Sequence, residues 1–250
     1  MATSSSTNTN TSKAEQVEKN MERLRLRLQL RLLQKWNPPK VPVYNVYHRR
    51  GIFEFKPPMY EIKILENTVF IRGEFEEFQL LEKRAIEEHR RKYIFLHFGL
   101  VQVAVKPLTA TGLKSSVLVC LRDRRFLYFK DSLTAVAQSK LSDGPIYFNC
   151  YPNHPVSLSD PHILMNINLS IKTDDLQEEG SVVADHIAVS YRVYYRVSNN
   201  ESYKSKVSSS GRKPTFVEIN LLRNDKVSVS KTMEWDSFQV PERWNVREEE

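Results

Sequence analysis

Seven glycines and two cysteines in 250 residues exclude a good deal. So few glycines leave little material for a phosphate-cradling loop, and neither GxGxxG, a P-loop lysine motif nor GxSxG occurs. Cys120 and Cys150 have no metal-ligand spacing. Each lies in an apolar stretch, where a reduced, buried thiol is expected rather than a disulfide. The six histidines, at 48, 89, 97, 154, 162 and 186, fall in no HExxH or HxH pattern, so neither a metal nor another cofactor is predicted. Cys150, His154 and Asp160 invite a nucleophile-and-base reading, but a strand that alternates through Tyr147 and Asn149 buries Cys150 more simply, and no enzyme is expected. No run approaches the roughly 18 apolar residues of a membrane span, and MATSSSTNTNTS has no apolar h-region behind it. A cytosolic protein is predicted, with any membrane contact peripheral.

What is present is a hydrophobic fraction of 40% and an aromatic fraction of 10%, enough for an ordered core. The chain is of a length that one large core can serve. The net charge of +7 is segregated: residues 1–60 hold 11 Lys+Arg against 4 Asp+Glu, and residues 61–250 hold 26 of each. A positive excess confined to one end suggests an arm that seeks phosphate or an anionic membrane surface.

Residues 1–12, nearly all Ser, Thr and Asn, predict disorder. Residues 13–40 form a basic amphipathic arm. Ser12 and Glu15 stand at capping-box spacing, and composition favours a helix. RLRLRLQLRLL (23–33) alternates with period two, which keeps a strand open. Five cations and no acid lie between Arg23 and Lys35, which makes Arg23, Arg25, Arg27, Arg31 and Lys35 candidates for sequence-independent phosphate contact.

After Pro38, Pro39 and Pro42, residues 41–200 read as a β domain. Short strand-like runs (YNVY, GIFEF, TVFIRG, YIFLHFGLVQVAV, SSVLVCL, IYFNCY, ILMNINLSI, HIAVSYRVYYRV) are separated by turn signals. Helical spacing predicts helices over 74–93 and 126–141. The pattern is mainly β, a single antiparallel sandwich or barrel with inserted helices. Residues 201–250 read as a polar linker and a tail with two late strands, PTFVEINLL and KVSVSKT. In SYRVYYRV, Arg192, Tyr194 and Arg196 share one face, so Arg192 and Arg196 flank an aromatic ring in the manner of a single-stranded nucleic-acid surface. In VLVCLRDRRF, Asp123 ends a buried-looking strand before the 126–141 helix, which predicts an N-cap.

The ordered set VLVCLRDRRF, helix, strand, YPNHPVSLSD and SYRVYYR resembles the core of the plant-virus cell-to-cell movement proteins, typified by the tobamovirus thirty-kilodalton protein, over roughly residues 93–198. The family's Leu-x-Asp motif with following basic residues falls on Leu121, Asp123, Arg124 and Arg125. Its glycine-containing strand falls on Gly99, its Pro-Asn pair on Pro152 and Asn153, and its downstream turn on Asp160. The resemblance implies a jelly-roll-like body and a protein that binds single-stranded nucleic acid, RNA ahead of DNA. It also implies self-association, delivery through the host cytoplasm to plasmodesmata, and host plasmodesmal proteins or viral coat protein as partners. A capsid-like jelly-roll that packages nucleic acid is the alternative.

Overall fold

The structure, a computed structural model, describes residues 39–47, 60–108, 116–173 and 187–200, positions 16 and 206, and the backbone of 215–222 and 225–232. The expectations for residues 1–12, for Arg23, Arg25, Arg27, Arg31 and Lys35, and for GIFEF lie outside the described residues. Lys40–Glu250 forms one compact unit.

Val, Ile, Tyr and Phe dominate the runs that become strands, as a pleated and half-buried surface favours. In chain order the elements are a helical turn α1 (Val43–Val46), β1 (Tyr60–Ile71), β2 (Phe75–Gln79), helix α2 (Lys83–Arg90), β3 (Phe95–Pro107), β4 (Ser116–Arg122), a helical turn α3 (Phe129–Ser132), β5 (Leu133–Lys140), β6 (Ile146–Cys150), β7 (His154–Ser157), β8 (Asn168–Thr173), β9 (Ile187–Ser198), β10 (Thr215–Leu222) and β11 (Asp225–Thr232). One sheet runs β1-β9-β3-β6, with β7 also on β3; the other runs β11-β10-β5-β4-β8-β2.

The antiparallel pairs are nested: β1 with β9, β2 with β8, β3 with β6 and β7, and β4 with β5. A long hairpin folded over so that successive pairs alternate between two sheets is a jelly roll, which is the fold of this chain. The core lies between the sheets and follows period two: Val101, Val103 and Val105 of β3 and Val189, Tyr191 and Val193 of β9 meet Val119 and Leu121 of β4 and Leu169 and Ile171 of β8. The late segments join this body, since β10 runs parallel to β5 and antiparallel to β11.

Three local expectations are corrected. Of YNVY, Tyr44 to Val46 fall in the helical turn α1 and Tyr47 follows it in extended backbone. The 74–93 helix shrinks to the eight residues of α2, because FEEFQ is taken up as β2 against β8, with Phe78 packed on the core. Over 126–141 the α-helix is confined to α3, 133–140 is β5 paired along β4, and Leu141 opens a 3-10 turn. The spacing that suggested a helix has a physical basis: Phe129, Leu133 and Val136 do meet in one buried cluster with Leu118 and Cys120. They reach it from a turn and a strand. Cys120 and Cys150 are free and buried, and burial pushes both thiols up, to about 12 for Cys150.

Candidate functional site: the Asp123 junction and the strapped sheet face

β4 delivers Leu121 to the core and leaves Asp123 buried just past its end. No N-cap forms there, because α3 begins only at Phe129. The carboxylate instead closes the chain on itself. Its Oδ1 accepts the Arg125 backbone N–H at 3.2 Å and Arg125 Nε–H at 2.9 Å, while Oδ2 accepts Arg125 Nη2–H at 2.7 Å and Asn166 Nδ2–H at 3.1 Å. The Asp123 backbone N–H donates to the Ser132 carbonyl at 2.7 Å, which ties the loop back to the strand pair.

Arg125 is shared between two acids, since its Nη1–H donates to Asp160 Oδ2 at 2.8 Å. The hydrogen bonds that Arg125 donates to the Asp123 carboxylate lead the causes that raise the Arg125 pKa. Burial alone would raise the Asp160 carboxyl, but the His162 N–H and the Arg125 guanidinium hold it below its usual range. Arg124 points the other way and pairs with Glu77 of β2 at 2.8 Å, while its N–H donates to the Met165 carbonyl. Asn166 also meets His154 of β7 at 3.0 Å. The motif residues Asp123, Arg124, Arg125 and Asp160 thus meet at one end of the body, where they fasten β4, β2, β7 and the 158–166 turn. The geometry serves fastening, and among the described residues no group of acids, His or Cys could hold a metal ion.

The second assembly lies on the outer face of β3 and β9. Arg192, Tyr194 and Arg196 do share that face, but they are 4%, 1% and 4% exposed, which closes them to a polyanion in this structure. This corrects the expectation of an open nucleic-acid surface at Arg192 and Arg196. The cover is the leader itself, residues 40–47, whose Val46 and Tyr47 pack on Leu100 and Tyr194, with Val41 and Val43 alongside. Lys40 and Arg192 both pair with Glu66 of β1, each at 2.9 Å. The Arg196 guanidinium lies 4.8 Å from the centre of the Tyr47 ring, a cation–π arrangement.

Gly99 makes this strap fit. A Cβ there would stand 2.5 Å from the Tyr47 ring and hydroxyl and 2.7 Å from Val46 Cγ1, and the β3–β9 register shifts between Phe98 and Leu100. Below the strap, the Tyr47 hydroxyl donates to the His97 carbonyl at 2.9 Å, and His97 Nε2 faces Asn153 Oδ1 at 3.2 Å. An amide oxygen opposite Nε2 selects the Nε2–H tautomer. Asn153, next to Pro152, adopts φ 49°, the left-handed region that Asn tolerates well. Gly99, and Asn153 through His97, therefore belong to the strap's seat. Tyr47, His97 and Asn166 escaped the sequence reading. The available signal was a glycine inside a β-branched strand, which marks close approach of another segment.

Burial, followed by the Arg196 charge, pushes His97 down to about 4. An unfolded histidine titrates near 6.5. The unfolded chain therefore takes up a proton as pH falls below about 6.5, while the native chain does not until about 4. The stability linked to this group is complete above about pH 6.5 and shrinks as pH falls, by about 2 kcal/mol at pH 5. The His97→Gln variant is expected to show a smaller difference between urea midpoints at pH 7 and pH 5 than the wild type. Equal differences would show that His97 is already charged in the fold.

Comparison with known proteins gives this geometry a family. The family model described as viral movement protein (MP) matches residues 37–211, which takes in the strap, the Asp123 junction and β1 to β9. The movement protein of Figwort mosaic virus (strain DxS) is 25% identical over 159 residues, covering 63% of this chain and 47% of that protein. That of Soybean chlorotic mottle virus is 28% identical over 163 residues, 62% of this chain and 53% of that protein. The chain thus spans about half the length of the curated relatives it matches. Among solved structures, Turnip yellow mosaic virus aligns with a TM-score of 0.41 and 11% identity over 62% of this chain and 99% of that one. Cocksfoot mottle virus aligns with a TM-score of 0.39 and 10% identity over 67% and 98%. With 175 consecutive residues under the family model, from 37 to 211, the chain belongs to the viral movement protein family.

Proposed function

We propose that the protein carries viral nucleic acid between plant cells as a non-enzymatic binding and assembly protein. The arm grips the polyanion, the jelly-roll body self-associates, and the complex is delivered to plasmodesmata. One observation carries this reading: the whole +7 excess lies in residues 1–60, while residues 61–250 are balanced at 26 cations and 26 acids. Closure of Arg192 and Arg196 beneath the strap leaves Arg23, Arg25, Arg27, Arg31 and Lys35 as the favoured phosphate ligands. With no base-reading motif beside them, binding is independent of sequence and dominated by counterion release. Single-stranded RNA is the favoured cargo.

Replacing Arg23, Arg25, Arg27 and Arg31 together by Gln is expected to weaken binding to single-stranded RNA. It should also flatten the slope of log affinity against log salt by up to about 3, at about 0.7 per phosphate contact. A filter-binding series from 50 to 400 mM salt reads both quantities. An unchanged slope would remove the arm from the contact.

The nested-hairpin topology favours a second reading, a capsid-like structural protein whose arm packages a genome. Closed particles in cells would support it.

A further inference from the structure

The strap is applied to the jelly roll from outside. Val43–Val46 form a helical turn and are a strand of neither sheet. The cluster they help to build, Val46 and Tyr47 with Leu100 and Tyr194, shares no residue with the core between the sheets. The core is therefore closed without the strap, which acts as a plug: Gly99 leaves the notch for the Tyr47 ring, whose hydroxyl donates to the His97 carbonyl. The Val46 carbonyl is held as well, by the Lys206 N–H at 2.8 Å. The seat has to be filled, since Leu100 and Tyr194 are 0% and 1% exposed under the strap and would both be bared without it.

Nothing in these contacts requires the plug and the seat to belong to one chain. The Arg196 guanidinium lies 4.8 Å from the centre of the Tyr47 ring and 5.6 Å from that of Tyr60, so the end of the strap and the start of β1 stand close together. Twelve residues, 48–59, separate them in sequence. A chain of that length reaches about 40 Å when extended, several times the gap and more than the roughly 30 Å diameter of a small domain. The strap of one copy can therefore reach the seat of another.

We propose that the strap is exchanged between copies: residues 40–47 of one chain seat on the β3–β9 face of a second, with Tyr47 in the Gly99 notch, and this is the contact by which the bodies join. The inference rests on the self-association in the proposed function and gives it a surface. Exchange makes the same contacts as self-seating, so concentration decides between them. A strap competes for its own seat at an effective concentration of the order of millimolar. Dilute copies keep their own straps, and copies crowded along one polyanion by their arms trade them. Reciprocal exchange closes a two-fold dimer, whereas one-way exchange leaves a plug at one end and a seat at the other and extends as a chain.

The test mixes two full-length variants, each impaired in seating its own strap. V46S/Y47A keeps the seat and lacks the plug, while Gly99→Ala keeps the plug and narrows the seat. Each alone is expected to stay monomeric in the micromolar range. An equimolar mixture is expected to double in mass by sedimentation, as the plug of one variant enters the open seat of the other. A fluorescent peptide of residues 39–48, offered to V46S/Y47A, gives a reading that does not depend on how well Gly99→Ala folds. It should bind, and its Tyr47→Ala form should bind about tenfold more weakly. A mixture of the folded variants that stays monomeric, a seat that takes no peptide, or equal self-association of V46S/Y47A alone would overturn the exchange. Wild-type chains that assemble on polyuridylate while the mixture stays monomeric would keep self-association and place it on another surface. Wild-type chains that never assemble would remove self-association and the exchange with it.

Discussion

The Asp123→Ala variant is expected to lose about 2–4 kcal/mol of stability, a large fraction of what holds a typical domain together. Truncation removes both acceptors of the Arg125 fork and the partner of Asn166 Nδ2, and leaves a guanidinium with Asp160 alone. The Arg125 side chain is 30% exposed, so water recovers part of the loss and the effect falls below that of a fully buried pair. Asp123→Asn should be milder, because its amide oxygen can still accept the Arg125 backbone N–H. Its NH2 group then turns toward donors, so some loss remains. Arg125→Ala in the Asp123→Ala background should cost less than the two single changes added together, since each single change strands the other partner. Urea denaturation of the wild type, the two Asp123 variants, Arg125→Ala and the double variant measures this. Wild-type stability in both Asp123 variants, combined with lost targeting to plasmodesmata, would replace fastening by contact with a partner.

Gly99→Ala is the second large effect, and it acts through space rather than backbone conformation. The added methyl would meet the Tyr47 ring and Val46 Cγ1, both part of the strap, which has nowhere to retreat but outward. Overpacking alone costs about 1–3 kcal/mol. Lifting the strap forfeits in addition part of the burial of Val46 and Tyr47, each worth roughly 1.5–3 kcal/mol. A fall in the unfolding midpoint of about 5–10 °C is expected, with faster proteolysis N-terminal to residue 48. In a Tyr47→Ala background the same change should cost clearly less, because the ring it displaces is gone. Equal costs in the two backgrounds would mean that Gly99 is needed for the β3 bulge and not for the strap.

These two sites show where sequence reading works and where it stops. Alternation along HIAVSYRVYYRV correctly puts Arg192, Tyr194 and Arg196 on one face and Val189, Tyr191 and Val193 on the other. Alternation carries no information on what covers a face, and the cover is a leader 145 or more residues upstream, from Tyr47 to Arg192. Asp123, Arg125 and Asp160 were legible as a motif, but their meeting was not, because Arg125 reaches Asp160 across 35 positions. Helical spacing misled at Phe129, Leu133 and Val136 because one buried cluster can be filled from a turn and a strand as well as from a helix. Local propensity lost to sheet pairing at 133–140 and at 75–79. The long strands were plain from the Val and Phe of β3 and the Val and Tyr of β9, since both lie at the centre of a sheet and are covered on two sides.

The role in transport is tested most directly by the place where a fluorescent fusion of the full chain accumulates in leaf epidermal cells. Puncta paired across the shared wall, weakened in the destabilised Asp123→Ala variant, are expected of a protein that carries nucleic acid through the channel. Closed particles in the cytoplasm with no puncta at the wall would contradict that role and leave the capsid-like reading in its place.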